Sequence, residues 1–417
     1  VTGFGRIAAA IDEQRLWDRH EALAQVGATA RGGVDRQALS DEEIAAKRVL
    51  LGWAAALALE PSTDAIGNLF LRLPGRDPAL APVLTGSHID SQPTGGKYDG
   101  VYGVLAGLEA VEAMRAAGHR PRRAIDIVAW TNEEGSRFAP GMMGSEAFAG
   151  VRALEAILPV ADAAGIRVDA ELARLEAAFP EMPRRPLGFP VAAYVEAHIE
   201  QGPELEAAGR QVGVVTGIQG KKTWKVSVRG EEAHAGTTPR RRRRDALAAA
   251  AAMIAALHRA IVDADDVVRF TVGRIQVEPN APSVVPARAD FSIDLRHPDG
   301  ATLDGFAAAV ESICQANAGP CAVTVTPLVD AAPLTFPAAM QDATRQTAER
   351  LGLAPMALAS AAGHDARNLH MVCPSAMIFV PCAGGISHNE AEATLPGDLA
   401  AGARVLAELL AQLADRP

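Results

Sequence analysis

The sequence predicts an α/β protein: a mixed-sheet domain interrupted by a βαββαβ, ferredoxin-like insertion. Three observations carry this prediction. Short apolar runs at 82–87, 124–130, 192–197 and 376–380 read as buried strands. Each leads directly, or after a short turn, to a polar residue: His88, Glu133, His198 and His388. From residue 223 the rhythm changes to alternation, the period of strands with one wet face.

The elements follow in order. Residues 4–26 read as a helix, with Ile7, Ile11, Leu16, Leu23 and Val26 as its apolar marks. Ser40-Asp41-Glu42-Glu43 is a capping-box pattern and opens a helix to about residue 59. Residues 68–73 and 82–87 are strands, the second ending at His88. Asp99 begins a segment with Val101, Val104, Leu105, Leu108 and Val111 at helical spacing. The strand at 124–130 runs into Asn132-Glu133-Glu134, and the strand at 192–197 ends at His198, with Pro203 starting a helix. In the insertion, Trp224, Val226 and Val228 share one face of a strand. A helix over 239–261 follows, capped by Thr237 or Thr238 with Pro239 in its first turn. Residues 267–277 and 287–295 are strands, 302–317 a helix and 322–326 a strand. The strand at 376–380 leads through Gly384-Gly385 to His388. The expected division is 1–212 and 330–417 for the first domain and 213–329 for the insertion.

Composition narrows the function classes. A chain of 417 residues with 49% hydrophobic content can bury a large core. A net charge of −10 argues against a general nucleic-acid or anionic-membrane surface. No apolar stretch reaches the ~20 residues of a membrane span, and no basic segment with an apolar core opens the sequence. Cys314, Cys321, Cys373 and Cys382 form no C-x-x-C pair, which favours reduced thiols and a cytoplasmic setting.

The polar residues at the strand ends suggest metal chemistry. In an open α/β sheet the carboxyl ends of parallel strands share one crevice. His88, Asp99, Glu134, His198 and His388 are candidate ligands, and His with carboxylate suits zinc, manganese or cobalt. Asp99 is the candidate bridge between two ions, its side chain held by free N–H groups at a helix start. A dinuclear centre can activate water and polarise a carbonyl oxygen. Glu133 is then free for proton transfer, and Asp90 is placed to orient the His88 imidazole. Taken singly, each residue has a plainer reading. His88, His198 and His388 pass as core or surface histidines, Asp99 as a helix cap, and Glu133-Glu134 as a solvated turn. Their recurrence at strand ends is what points to a metal.

The chain resembles the amidase branch of the M20 metallopeptidase family, which includes N-carbamoyl-L-amino-acid hydrolases, β-ureidopropionases and allantoate amidohydrolases. The resemblance rests on GSHIDSQPTGGKYDGVYGVLAGLE, NEEGSRFAPGMMGS, EAHIEQGP, GEEAHAGTTP, DFSIDLRH, AGHDA and FVPCAGGISHNEAE. EAHIEQGP and HAGTTP are specific to this branch. The resemblance implies a dinuclear catalytic domain, an inserted lid and a homodimer built through that lid. By position, His88, Asp99, Glu134, His198 and His388 match metal ligands and Glu133 the catalytic acid/base. Gln201 matches a polar residue near metals and substrate. His234 matches a lid histidine that stabilises the oxyanion in the partner's site, and Arg296 the residue gripping a substrate carboxylate. Two positions depart from the branch. Ser283 stands at the substrate-binding position where Asn is usual, and Arg240 where an apolar residue commonly follows HAGTTP.

The expected activity is metal-dependent hydrolysis of an N-carbamoyl-L-amino acid to the amino acid, ammonia and carbon dioxide. Allantoate amidohydrolase and β-ureidopropionase are the near alternatives. An aminoacylase, a dipeptidase and a non-catalytic binding protein on the same fold are the distant ones.

Overall fold

The computed structural model describes residues 3–416, which divide into two compact units. One holds the chain up to Thr216 and from Phe336 onward; the other is Gly217–Thr335. Sixteen strands are present among the described residues. They are β1 Glu60–Thr63, β2 Leu69–Leu73, β3 Val83–His88, β4 Ile125–Trp130, β5 Ala193–Ile199, β6 Gly213–Ile218, β7 Gly220–Arg229 and β8 Ala233–His234. Then follow β9 Arg269–Thr271, β10 Ile275–Glu278, β11 Val284–Val285, β12 Arg288–His297, β13 Ala322–Ala331, β14 Leu334–Thr335, β15 Met356–Ser360 and β16 Ser375–Val380.

The first unit is built on a mixed sheet in the order β1-β2-β4-β3-β5-β16-β6, with β15 also pairing β6. The centre of the sheet, β4-β3-β5-β16, is parallel. The antiparallel pairs β1·β2, β2·β4 and β16·β6 flank it. Every residue of β3, β4, β5 and β16 is buried, as expected of strands covered on both faces. The helix Val101–Ala116 crosses back over β3 and packs against helix Pro396–Ala414. Both are buried around almost their whole circumference, and Gly103 and Gly107 let the first lie close against β3, β4 and β5.

The second unit is a sheet in the order β10-β12-β7-β13 with β9 also on β12, all antiparallel. Helices Ala246–Ala260 and Gly300–Ala316 pack on it over Trp224, Val226, Val228, Phe291, Ile293 and Leu295. This is a βαββαβ topology. The two-stranded pair β8·β11 stands apart from that sheet.

Several local expectations are corrected. Residues 4–26 are not one helix: a 3-10 turn at Ala8–Ala10 precedes the helix Glu13–Ala24. Asp12 caps that helix by accepting the Arg15 N–H, which fixes its start at Glu13 rather than residue 4. The expected strand over 267–277 is broken into β9 and β10 around Gly273. The expected helix over 239–261 begins only at Ala246, with Asp245, not a threonine, as N-cap. Five arginines at a helix N-terminus would oppose its dipole, so the chain spends them on a 3-10 turn and the residues after it. Asp245 Oδ1 accepts the Ala248 N–H at 2.9 Å. Asp245→Ala is expected to destabilise the protein by about 1 kcal/mol, read from the denaturant midpoint. An unchanged midpoint would remove Asp245 as the start signal. Among the described residues no helix is long and apolar enough to cross a membrane, and the four cysteines are free and buried.

Candidate metal centre

The parallel centre of the sheet explains why distant residues meet. Strands β4, β3, β5 and β16 run the same way, so their carboxyl ends lie along one edge. His88 is the last residue of β3, and His198 is the last but one of β5. Glu133 and Glu134 follow β4 after Asn132, whose positive φ of 54° turns the chain there. His388, also at positive φ, lies in the loop beyond β16. Asp99 stands in the loop between β3 and the helix Val101–Ala116. It does not cap that helix as expected. Gly100 is the N-cap and no side chain caps it; the Asp99 oxygens are taken by His198 of β5 and by His388 of the loop beyond β16.

Asp99 is the hub. Its Oδ1 lies 3.2 Å from His198 Nε2 and 3.7 Å from His88 Nε2. Its Oδ2 lies 3.2 Å from His388 Nε2, which is also 3.2 Å from Glu134 Oε2. The ligating atoms of His88, Asp99 and His198 fall within 4.8 Å of one another, as do those of Asp99, Glu134 and His388. One carboxylate therefore belongs to both groups of three. Gly100 makes room for this: a Cβ there would stand 2.3 Å from His88 Nε2, and its φ is +65°.

The electrostatics match. Burial pushes the Asp99 carboxyl up, but His198, His388 and His88 outweigh it and hold it well below the usual range. Asp99 hydrogen bonding raises His388 to about 9. Burial pulls His88 down, yet Glu133, Asp90 and Asp99 hold it well above 6.5. Burial raises the Glu134 carboxyl to about 7 and the Glu133 carboxyl well above its ordinary value. Acids this desolvated call for positive charge between them.

The donor set fits divalent cations. His88 Nδ1 donates to the Asp90 carbonyl at 2.9 Å, and His198 Nδ1 to the Ile199 carbonyl at 2.8 Å. A carbonyl only accepts, so each Nδ1 carries its proton. In the neutral ring Nε2 then turns a lone pair toward the Asp99 carboxylate, an opposition that a bound cation relieves. Gln201 adds a second sign. Its Nε2 donates to Asp99 Oδ2 at 2.8 Å, while its buried Oε1 has no hydrogen-bond partner.

Glu133 belongs to neither group, and its Oε2 lies 3.5 Å from His88 Nε2. Asp90 works in two directions. Its backbone carbonyl accepts from His88 Nδ1 and its Oδ1 lies 3.5 Å from the same nitrogen, while its carboxylate also accepts the Glu133 and Glu134 N–H groups, both at 3.2 Å. That clamp sets the directions in which the two acids leave the chain.

His234, Ser283 and Arg296 lie in the second unit. His234 in β8 pairs with Val284 of β11, and the exposed Ser283 accepts the Ala235 N–H through its carbonyl. His234 Nδ1 accepts from the N–H groups of Gly236 and Thr237, so this ring carries its proton on Nε2. Arg296, in β12, is ion-paired to Asp294 at 2.8 Å. Arg240 is exposed in the 3-10 turn.

Other residues at the first unit's centre escaped the sequence reading. Gln92 Nε2 donates to Glu134 Oε2 at 2.8 Å. Glu196, His198 and His364 form a third cluster of potential ligand atoms. Glu196 Oε1 accepts from Ser87 at 2.6 Å, Oε2 accepts the Ala366 N–H, and the His364 ring stands 4.4 Å from that of His198. The available signal was a charge in an apolar strand run, two residues before His198 and so on its face.

The geometry can be set beside known proteins. The profile of peptidase family M20/M25/M40 matches residues 84–412. An N-carbamoyl-L-amino-acid amidohydrolase of Rhizobium meliloti is 40% identical over 97% of each chain. An allantoate amidohydrolase of Bacillus subtilis is 36% identical over 96% of this chain and 97% of its own. A hydantoinase/carbamoylase family amidase from Burkholderia vietnamiensis superposes with a TM-score of 0.89 at 43% identity, covering 98% of both chains.

Proposed function

Since the chain belongs to peptidase family M20/M25/M40 and is a hydrolase of linear amide bonds, we propose that it hydrolyses N-carbamoyl-L-amino acids. The observation that carries this reading is Asp99, one carboxylate meeting His88 and His198 on one oxygen and His388 on the other. In this reading His88, Asp99 and His198 hold one divalent ion, and Asp99, Glu134 and His388 a second, zinc, manganese or cobalt. When bound, the ions supply Lewis acidity: they make water a better nucleophile and polarise the carbamoyl oxygen.

The chain's own groups do the rest. Glu133, held by Asp90 through its backbone N–H, takes the proton of the attacking water and delivers it to the departing nitrogen. Its raised pKa, caused first by burial, suits a group that must both accept and release a proton. Gln201 holds Asp99 Oδ2, and its unpartnered amide oxygen is available to accept a ureido N–H of the substrate. His234, with its proton on Nε2, is the donor to the developing oxyanion, delivered across a homodimer. Arg296 grips the substrate carboxylate, with Ser283 beside the same group. The second unit acts as the lid that brings these donors in. The products are the L-amino acid, ammonia and carbon dioxide.

Allantoate is the second reading, favoured by one feature. Ser283 lacks the paired amide donor and acceptor of the usual Asn, which leaves room for a different substrate body. Ammonia release from N-carbamoyl-L- and D-amino acids, β-ureidopropionate and allantoate, and free amino acid release from N-acyl amino acids, after loading with each of the three metals, separates the readings. Fastest turnover of an N-carbamoyl-L-amino acid supports the proposal; fastest turnover of allantoate, or release from N-acyl substrates alone, overturns it. Arg296→Ala is expected to raise KM for carboxylate substrates roughly 10–150-fold, the worth of about 1.5–3 kcal/mol for a charged hydrogen bond. An unchanged KM would put the anchor elsewhere.

A further inference from the structure

The loop that carries His388 has no strand or helix to hold it, and the His388 side chain is 48% exposed. The loop that carries Asp99 is equally irregular. One buried carboxylate ties the two together. Glu392, 5% exposed, accepts the Tyr98 N–H at 2.8 Å and the Asp99 N–H at 3.1 Å, both on Oε1. Its Oε2 lies 3.0 Å from the Ser387 hydroxyl, which is also 3.0 Å from Asp99 Oδ2. The single Ser387 proton serves one of these oxygens at a time. The Glu392 N–H closes the turn by donating to the carbonyl of Asn389, the residue after His388. Gly96 is shaped for it: a Cβ there would stand 2.0 Å from the Glu392 carboxylate carbon.

We propose that Glu392 is a positioning residue of the centre, a tether that fixes Asp99 and the Ser387-His388 turn in one frame. A buried acid can be a simple structural clamp. The partners of this one are the N–H of the shared ligand and the hydroxyl next to another ligand, so its loss displaces both halves of the Asp99–His388 pair. Outer groups that orient ligands in this way commonly tune metal affinity 10–100-fold. The inference rests on reading Asp99 and His388 as ligands.

The test compares the full-length wild-type chain with Glu392→Ala, Glu392→Gln and Gly96→Ala. Three quantities are read: zinc affinity by chelator competition, the visible absorption of the cobalt form, and the thermal midpoint of the metal-free chain. Glu392→Ala is expected to weaken affinity by about 10–100-fold and to change the cobalt spectrum. Glu392→Gln keeps the Oε1 acceptor and is expected to restore both toward wild type. Gly96→Ala, which displaces the carboxylate without removing it, is expected to resemble Glu392→Ala and stands in for it if that variant does not fold. Wild-type affinity and spectrum in Glu392→Ala would overturn the role, whatever the thermal midpoint. Equal loss in Glu392→Gln would also overturn it, by making charge rather than tethering the cause. A wild-type chain that takes up no divalent ion would sink the metal reading itself, and this inference with it.

Discussion

Replacing Glu133 with glutamine is expected to lower kcat by roughly 10²–10⁴-fold while leaving metal uptake unchanged. The substitution keeps size and shape and removes only the ability to take a proton. The Glu133 side chain is not in either Asp99-centred group of potential ligands, and its backbone N–H stays clamped by Asp90. KM should move little, because the group's work is done in the transition state. Single-turnover rates and metal content by elemental analysis check both halves. A kcat within tenfold of wild type would remove Glu133 from the proton path. A loss of bound metal would instead make it a ligand.

Asp99→Ala is expected to have the second large effect, and a different one. The carboxylate is shared, so its loss strips an oxygen from both groups and leaves His88, His198 and His388 facing an emptied corner. Bound metal per chain should fall, and turnover should drop by at least about 10³-fold, since Lewis-acid stabilisation is worth several kcal/mol and each 1.4 kcal/mol is tenfold. Asp99→Asn, which keeps shape but halves the ligating oxygens, should fall between. Full metal content in Asp99→Ala would end the shared-ligand reading.

How much of this was legible in the sequence depends on range. The strands β3, β4, β5 and β16 announced themselves because a fully buried parallel strand is a nearly unbroken apolar run. Their first polar neighbours therefore stood out. β1 gave no such signal: Glu60-Pro-Ser-Thr63 is a partly exposed edge with one fully buried residue. The helix after the arginine run starts later than its threonine and proline signals suggest, because five cations at its N-terminus would oppose the dipole.

At the centre itself, His88 and His198 were readable from strand ends, but the geometry around them was not. The Asp90 carboxylate lies beside the imidazole, as its place in the sequence suggests, but its second task, holding backbone N–H groups 43 and 44 residues away, leaves no mark in the sequence. Glu392 was invisible for the same reason. An acid four residues beyond a histidine in a Gly-rich loop reads as solvated, and its partners lie 294 and 293 positions earlier. Backbone donors leave no trace in residue identity, so groups whose work is to hold main chain cannot be picked out before the fold is known.

The place where the chain departs for its second unit and comes back has a consequence for how such proteins can change. β6 and β14 are antiparallel neighbours, with Ile218 opposite Leu334 and Gly217 opposite Thr335. Two strands so related can be joined by a turn of about two residues. The doorway is thus no wider than that of a tight hairpin, and more than a hundred residues hang from it. Material can be spliced in or cut out at that spot without re-registering the sheet on either side, which makes the junction a natural seam for grafting, lengthening or loss.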